Sequence, residues 1–260
     1  MPSWSPTPAA EPGPRLIRLA DPEAVAERVA GLLVQEALRI PHRPLGLATG
    51  RTMEPVYRAL ARRLAALPSR EAETVRRHWC SFNLDEYVGL GPADPRSFAA
   101  EMAERLTRPL GLDPAGVHLP DGLAADPQAA ARAYGEAVAA AGGIGLQLLG
   151  LGLNGHVGFN EPPSGWELPC RCLALSPATR RQNAAAFGGD PSAVPDRAIT
   201  LGLREILAAE QLLLVVTGAA KAEVLRRALA EPPSPDLPAS WIQRHPAVTV
   251  IADQAAMPLA

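Results

Sequence analysis

Four short stretches of this 260-residue sequence carry side chains that could do chemistry, and each directly follows an apolar run. Thr49-Gly50-Arg51-Thr52 follows LGLA, Asp85-Glu86 follows CSFNL, and Asn154-Gly155-His156 follows LQLLGLGL. Thr217-Gly218 follows LLLVV, with Lys221 in the next turn. A Gly turn that ends a strand and opens a helix aims backbone N–H groups and a helix dipole at an anion such as phosphate, and Thr hydroxyls add donors. The plainer account of TGRT is an ordinary strand-to-helix turn. Lys221 is the sole lysine among 25 Lys and Arg residues, so its amine is worth weighing as a ligand contact as well as a solvated helix position.

Asp85 and Glu86 are neighbours on a strand end, so their side chains point to opposite faces. One carboxylate could face a cleft, where burial raises its pKa and lets it abstract a proton alpha to a carbonyl. The other would serve as a structural partner or helix cap. His156, with Asn154 two residues before and Glu161 five after, could relay a proton near neutral pH while a carboxylate fixes its tautomer. A loop histidine that only bonds backbone is the alternative. No HxxxH, HExxH or CxxC spacing is present, so no metal site is expected. Cys170-Arg171-Cys172 has no matching pair and reads as coincidence.

The elements that must position these groups alternate between short apolar runs and amphipathic stretches, which is the α/β pattern. Strands are expected at 16–19, 44–50, 78–90, 144–152, 171–175, 211–218 and 247–253. Helices are expected from Asp21-Pro22 to about Ile40, from Thr52 to Leu67 with Pro68 as the stop, after a Ser97 cap, over 126–141, from 219 to 229, and within AITLGLREIL (198–207). VHLPDG (117–122) reads as a connection. The continuous apolar character of IGLQLLGL, QLLLVV and AVTVIA marks strands covered on both faces. The expected fold is therefore α/β, a mostly parallel sheet with helices on each side and ligands bound beyond the carboxyl ends of the strands.

A hydrophobic fraction of 47% and a net charge of −2 exclude a disordered chain and argue against nucleic-acid or polybasic membrane partners. No run reaches the ~18 apolar residues of a spanning helix. The Pro-rich 1–14 segment lacks the pattern of a secretory signal and is expected to be a disordered tail before a single domain over 15–260. Three cysteines, an odd number, fit reduced thiols and a cytoplasmic setting.

The stretches LGLATGRT, SFNLDEYVGL, GLGLNGHVGFNEP, AITLG and VTGAAKA occur in an order that resembles the glucosamine-6-phosphate deaminase (isomerase) family, related to 6-phosphogluconolactonase. The likeness runs from about Leu45 to Asp253. DEYVGL and NGHVGFNEP are its specific parts, and the lactonases typically have GHTASLFP where this chain has GHVGFNEP. The resemblance implies a Rossmann-like three-layer α/β/α sandwich with a mostly parallel central sheet, and conversion of glucosamine 6-phosphate to fructose 6-phosphate and ammonia without organic cofactor or metal. It implies Asp85 as the base that moves a proton between C2 and C1. It gives His156 the ring opening, with Asn154 and Glu161 orienting and assisting, and gives Thr49, Gly50, Thr52 and Lys221 the phosphate. The family includes monomers and hexamers, so a homo-oligomer stays open, as does gluco versus galacto preference.

The chain departs from the family pattern at several places. TGRT replaces TGGT, and Arg51 could reach the phosphate itself. Ala185 stands where the family usually has a phosphate-gripping Arg, for which Arg51, Arg180 or Arg181 could compensate. Phe98 replaces a common Tyr. PPSGWELPCRC shows little likeness to the segment forming an allosteric site in some members, so activation by N-acetylglucosamine 6-phosphate is not expected. Two other readings are a catalytically weak sugar-phosphate sensor and a phosphogluconolactone hydrolase.

Overall fold

The computed structural model describes residues 13–257, so the expected tail over 1–14 lies, apart from Gly13 and Pro14, outside the described residues. Ten strands follow in chain order: β1 (Arg15–Leu19), β2 (Leu45–Leu47), β3 (Ser81–Asn83), β4 (Asp85–Tyr87), β5 (Val117–His118), β6 (Leu146–Gly150), β7 (Arg171–Ala174), β8 (Arg197–Thr200), β9 (Gln211–Val216) and β10 (Val248–Asp253). Seven form a main sheet in the order β1-β10-β9-β6-β2-β3-β5, and every neighbouring pair is parallel. The expected mostly parallel, helix-flanked sheet is what the chain builds. Leu148, Leu149 and Leu212 to Val216 are buried, as strands covered on both faces must be.

Helix α1 (Pro22–Ala37) opens as its sequence predicts: the Asp21 side chain accepts the Ala24 N–H at 2.8 Å. Its stripe of Val25, Ala26, Val29, Ala30 and Leu33 is fully buried. Helix α2 (Glu54–Ala65) buries Val56, Tyr57, Leu60 and Leu64. Pro68 does stop it, but the same Pro starts a further helix, Ser69–His78, to which the sequence reading assigned nothing. Only Ala72 and Val75 of that helix are buried, which leaves too thin an apolar stripe to read.

Three expectations are corrected. The single strand expected over 78–90 is two strands in different sheets. Leu84 is the pivot: its N–H donates to the Leu47 carbonyl in the main sheet at 2.9 Å, and its carbonyl accepts the Leu201 N–H at 2.7 Å. Beyond it, β4 joins an antiparallel sheet ordered β4-β8-β7. AIT, within the AITLGLREIL stretch read as opening a helix, lies in β8, and the helix starts only at Leu203 behind Gly202. Val117–His118, read as connection, pairs with β3 as the sheet edge. Each miss has one cause, a partner distant in sequence overriding a weak local pattern.

The chain leaves β2 toward β3 and β5 on one side, while β6, β9 and β10 build the other. The crevice beyond the β2–β6 boundary is thus where a doubly wound sheet receives a ligand. The four reactive stretches follow β9, β6, β2 and β3, four consecutive strands of the sheet.

Candidate active site

Asp85 stands just past the end of β3, on the far side of the Leu84 pivot, and is 6% exposed. Burial pushes its carboxyl pKa up to about 8, and the nearby charges of Glu86 and Glu101 push in the same direction. Glu86 points the other way, as strand alternation requires. It accepts the N–H groups of Tyr87 (2.8 Å), Phe98 (3.0 Å) and Ala99 (2.7 Å). Glu86 therefore caps the helix Phe98–Met102, together with Ser97, whose hydroxyl accepts the Ala100 N–H at 3.0 Å. Of the two carboxylates, Glu86 is committed to structure, and Asp85 has no hydrogen-bond donor among the described residues.

The loop after β6 closes over Asp85 because of its glycines. A Cβ on Gly158 (φ +56°) would lie 3.3 Å from Asp85 Oδ2 and 3.0 Å from Thr200 Oγ1. The His156 ring lies against Gly152, where a Cβ would sit 2.4 Å from three ring carbons. His156 Nδ1 is buried without a hydrogen-bond partner among the described residues. Burial lowers the imidazole pKa to about 4, the Glu161 charge opposes that shift, and the Lys221 charge adds to it. His156 is thus a neutral imidazole at neutral pH, able to accept a proton.

Glu161 is anchored rather than free. It accepts from the Ser176 N–H at 2.8 Å and the Ser176 hydroxyl at 2.7 Å, and from the Thr179 hydroxyl. Its influence on His156 is that of a fixed negative charge. Asn154 orders the loop instead of the ring: its side-chain oxygen accepts the His156 backbone N–H at 3.3 Å.

The turns at Gly50 (φ +99°) and Gly218 (φ +89°) are the other wall. Beyond their chain neighbours, no atom of the described residues lies within 4 Å of a Cβ built on either, so both turns face open space. Thr49 and Thr52 are half-buried and Arg51 is exposed. Lys221 donates to the Leu151 carbonyl, at the root of the His156 loop, at 2.6 Å. Burial lowers its pKa, and the charge of Arg51 lowers it further, which places these two cations in one field. Ala185 is exposed and offers no donor. Arg180 is occupied by the carbonyls of Val194 (3.1 Å) and Ser192 (3.0 Å). Phe98 packs 4.8 Å from the Tyr87 ring, among Phe159 and Phe187, where a Tyr would carry a hydroxyl.

Sequence reasoning missed four residues. Ser176 and Thr179 hold Glu161, and only the fold brings them to it. Asp253, at the end of β10, accepts the Gly218 N–H at 3.1 and 3.0 Å and so sets the turn that carries Lys221. Glu101 accepts the Gly50 N–H at 3.4 Å. A strand-end Asp beside a strand-end Gly was a readable hint for the Gly218 tether; Glu101 had no signal beyond a helical pattern.

A doubly wound parallel sheet with a buried carboxylate, an imidazole and two cation-bearing glycine turns at one end defines an α/β protein built to hold a small anionic ligand. The family model for glucosamine-6-phosphate isomerases/6-phosphogluconolactonase matches residues 20–251, and the chain belongs to that family. A glucosamine-6-phosphate deaminase of Rhodopirellula baltica is 43% identical over 241 residues, 92% of this chain and 93% of that one. A glucosamine-6-phosphate deaminase of a Geobacillus species is 38% identical over 245 residues, covering 94% and 95%. A monomeric glucosamine-6-phosphate deaminase superposes with a TM-score of 0.86 at 34% identity, covering 93% of this chain and 98% of that one. The 6-phosphogluconolactonase of Leishmania guyanensis, at 21% identity and a TM-score of 0.71, shares the fold.

Proposed function

We propose that this chain converts glucosamine 6-phosphate and water to fructose 6-phosphate and ammonia. The observation that carries the proposal is one buried carboxylate free of committed donors, Asp85, beneath a loop that holds a neutral imidazole, His156. The named relatives, which share about two fifths of its residues over more than nine tenths of its length, support the same chemistry.

In this reading His156 takes the proton of the anomeric hydroxyl and returns it to the ring oxygen, opening the pyranose. Glu161 steadies the imidazole when it is charged, and Asn154 holds the turn. Asp85 removes the C2 proton while the C1 oxygen takes a proton from the C2 ammonium, giving the enolamine, and Asp85 then delivers the C2 proton to C1. The resulting C2 imine adds water and releases ammonia. Thr49, Gly50, Thr52 and Lys221 hold the phosphate, and Arg51 supplies the cation that Ala185 lacks. Arg180, whose Nε and Nη2 are tied to the Val194 and Ser192 carbonyls, does not take that role. No organic cofactor or metal enters these steps. We further read residues 15–260 as one domain, supported by the pairing of β1 with β10. Among the described residues no helix is long and apolar enough to cross a membrane. A cytoplasmic setting is the reading that three free cysteines support.

The test is a panel of hexosamine 6-phosphates, the galacto isomer included, scored for ammonia, with phosphogluconolactone hydrolysis measured beside it. Ammonia from the gluco substrate is the expected result; lactone hydrolysis without ammonia overturns the reading. Arg51→Ala is expected to lower kcat/KM for glucosamine 6-phosphate roughly tenfold while leaving that for unphosphorylated glucosamine in place. An unchanged ratio between the two sugars removes Arg51 from the phosphate site. Since Asp85 must be ionised to act as base, kcat/KM is expected to rise with pH through the neutral range toward about 8, where burial places its pKa. A profile already flat from pH 6 to 8 would contradict that.

A further inference from the structure

Glu101 is a carboxylate at the mouth of the anion-binding turn, which is an unexpected charge for that place. It lies on the helical stretch that Glu86 caps, and its Oε1 accepts the Gly50 N–H at 3.4 Å. The same oxygen is 3.3 Å from Arg105 Nε, and Arg105 also pairs with Glu54 at 3.1 Å. Gly50 N–H is one of the donors that the proposed reading gives to the sugar phosphate. A phosphate oxygen and the Glu101 carboxylate are both acceptors, so one N–H cannot serve both at full strength. Two anions brought this close also repel by an amount that a half-buried site does not screen away.

We propose that Glu101 is an internal competitor for the phosphate seat: its carboxylate occupies the Gly50 N–H in the free protein and must yield that donor when an anion binds. Arg105, already within ion-pair distance, is the group that retains the displaced carboxylate. Glu101 is thereby a positioning residue that sets the affinity of the anion end without touching the reacting carbons. It gives this chain a weaker hold on free inorganic anions than its cations alone would produce, so that only a ligand with further contacts in the crevice displaces it. The inference rests on the reading of the Gly50 turn as the phosphate seat.

Sulfate tests it, because its charge is constant across the working pH range. Its inhibition constant against glucosamine 6-phosphate is measured for the wild type, Glu101→Gln and Glu101→Ala. We expect the constant to fall about fivefold in both variants, with KM falling in parallel and kcat changing by less than KM, the size of one like-charge contact at a partly screened site. Glu101→Asp, which keeps the charge, is expected to stay closer to the wild type than either neutral variant. A merely structural role would weaken sulfate or shift kcat and KM together. If sulfate competes with substrate but its constant is unchanged or rises in Glu101→Gln, the competitor role is wrong and the phosphate seat stands. If sulfate competes in none of the proteins, the seat itself is misplaced and the inference falls with it.

Discussion

Asp85→Asn is expected to abolish ammonia release and at the same time to stabilise the protein. The first half follows from its proposed role. Asn is close in shape but cannot take the C2 proton, and losing a positioned base costs ~10²–10⁴ in kcat. Substrate binding, read from ligand-induced protection against thermal unfolding, is expected to stay within a few-fold. The second half follows from burial. The folded pKa of Asp85 is about 8 against an ordinary 3.8. A carboxyl whose pKa rises on folding stabilises the fold while it is protonated in both states, and that contribution drains away as pH climbs from about 4 toward 8. Near pH 8 the wild type carries the cost of a buried anion in full, and the neutral amide escapes it. The expected gain in Tm at pH 8 is on the order of 3–6 °C, shrinking toward zero by pH 5. An inactive variant with a lowered Tm at pH 8 would mean that the carboxylate is held by donors and is no base. Scanning calorimetry at the two pH values decides it.

His156→Asn is expected to lower kcat by ~10²–10³ with a much smaller change in KM, the usual scale for one general acid–base group. The two variants separate by a second readout. Solvent deuterium enters fructose 6-phosphate at C1 through the reversed proton transfer when ammonia is supplied. Asp85→Asn should lose this exchange together with ammonia release. His156→Asn should lose ammonia release from the cyclic aminosugar more severely than it loses exchange, because an already open keto sugar has no pyranose to unlock. Equal loss of both in His156→Asn would move the imidazole from ring opening to the carbon proton.

How much of this was legible in the sequence differs residue by residue. The parallel sheet was readable because QLLLVV and LQLLGL, apart from one Gln in each, run apolar on consecutive rather than alternating positions, which a doubly covered strand tolerates. That Asp85 and Glu86 divide into one free and one structural carboxylate was also readable, from strand alternation. Which of them caps a helix was not, because the donors, Phe98 and Ala99, reach Glu86 only through a loop and a second sheet. The crossover at Leu84 was invisible for the same reason: SFNLDEY has no Gly or Pro to announce a change of sheet, and the partner strand RAIT lies far down the chain. The Asn154 side chain looked like a partner for the imidazole ring and proves to serve the loop backbone. Glu101 drew no reading of its own, because nothing local distinguishes a helix glutamate from one that folds back over a turn.

The contiguity of Asp85 and Glu86 in a three-residue strand has a mechanical consequence. Glu86 is bolted to the first turn of the segment that carries Phe98 and Glu101, and Asp85 is its immediate neighbour along the chain. In the proposed reading, a ligand that levers this segment outward at the phosphate end therefore tugs on the backbone of Asp85, the proposed base, at the opposite end. On that reading, grip on the tail of the sugar and aim at its middle carbons are geared together, and changes made to improve one are expected to be felt in the other.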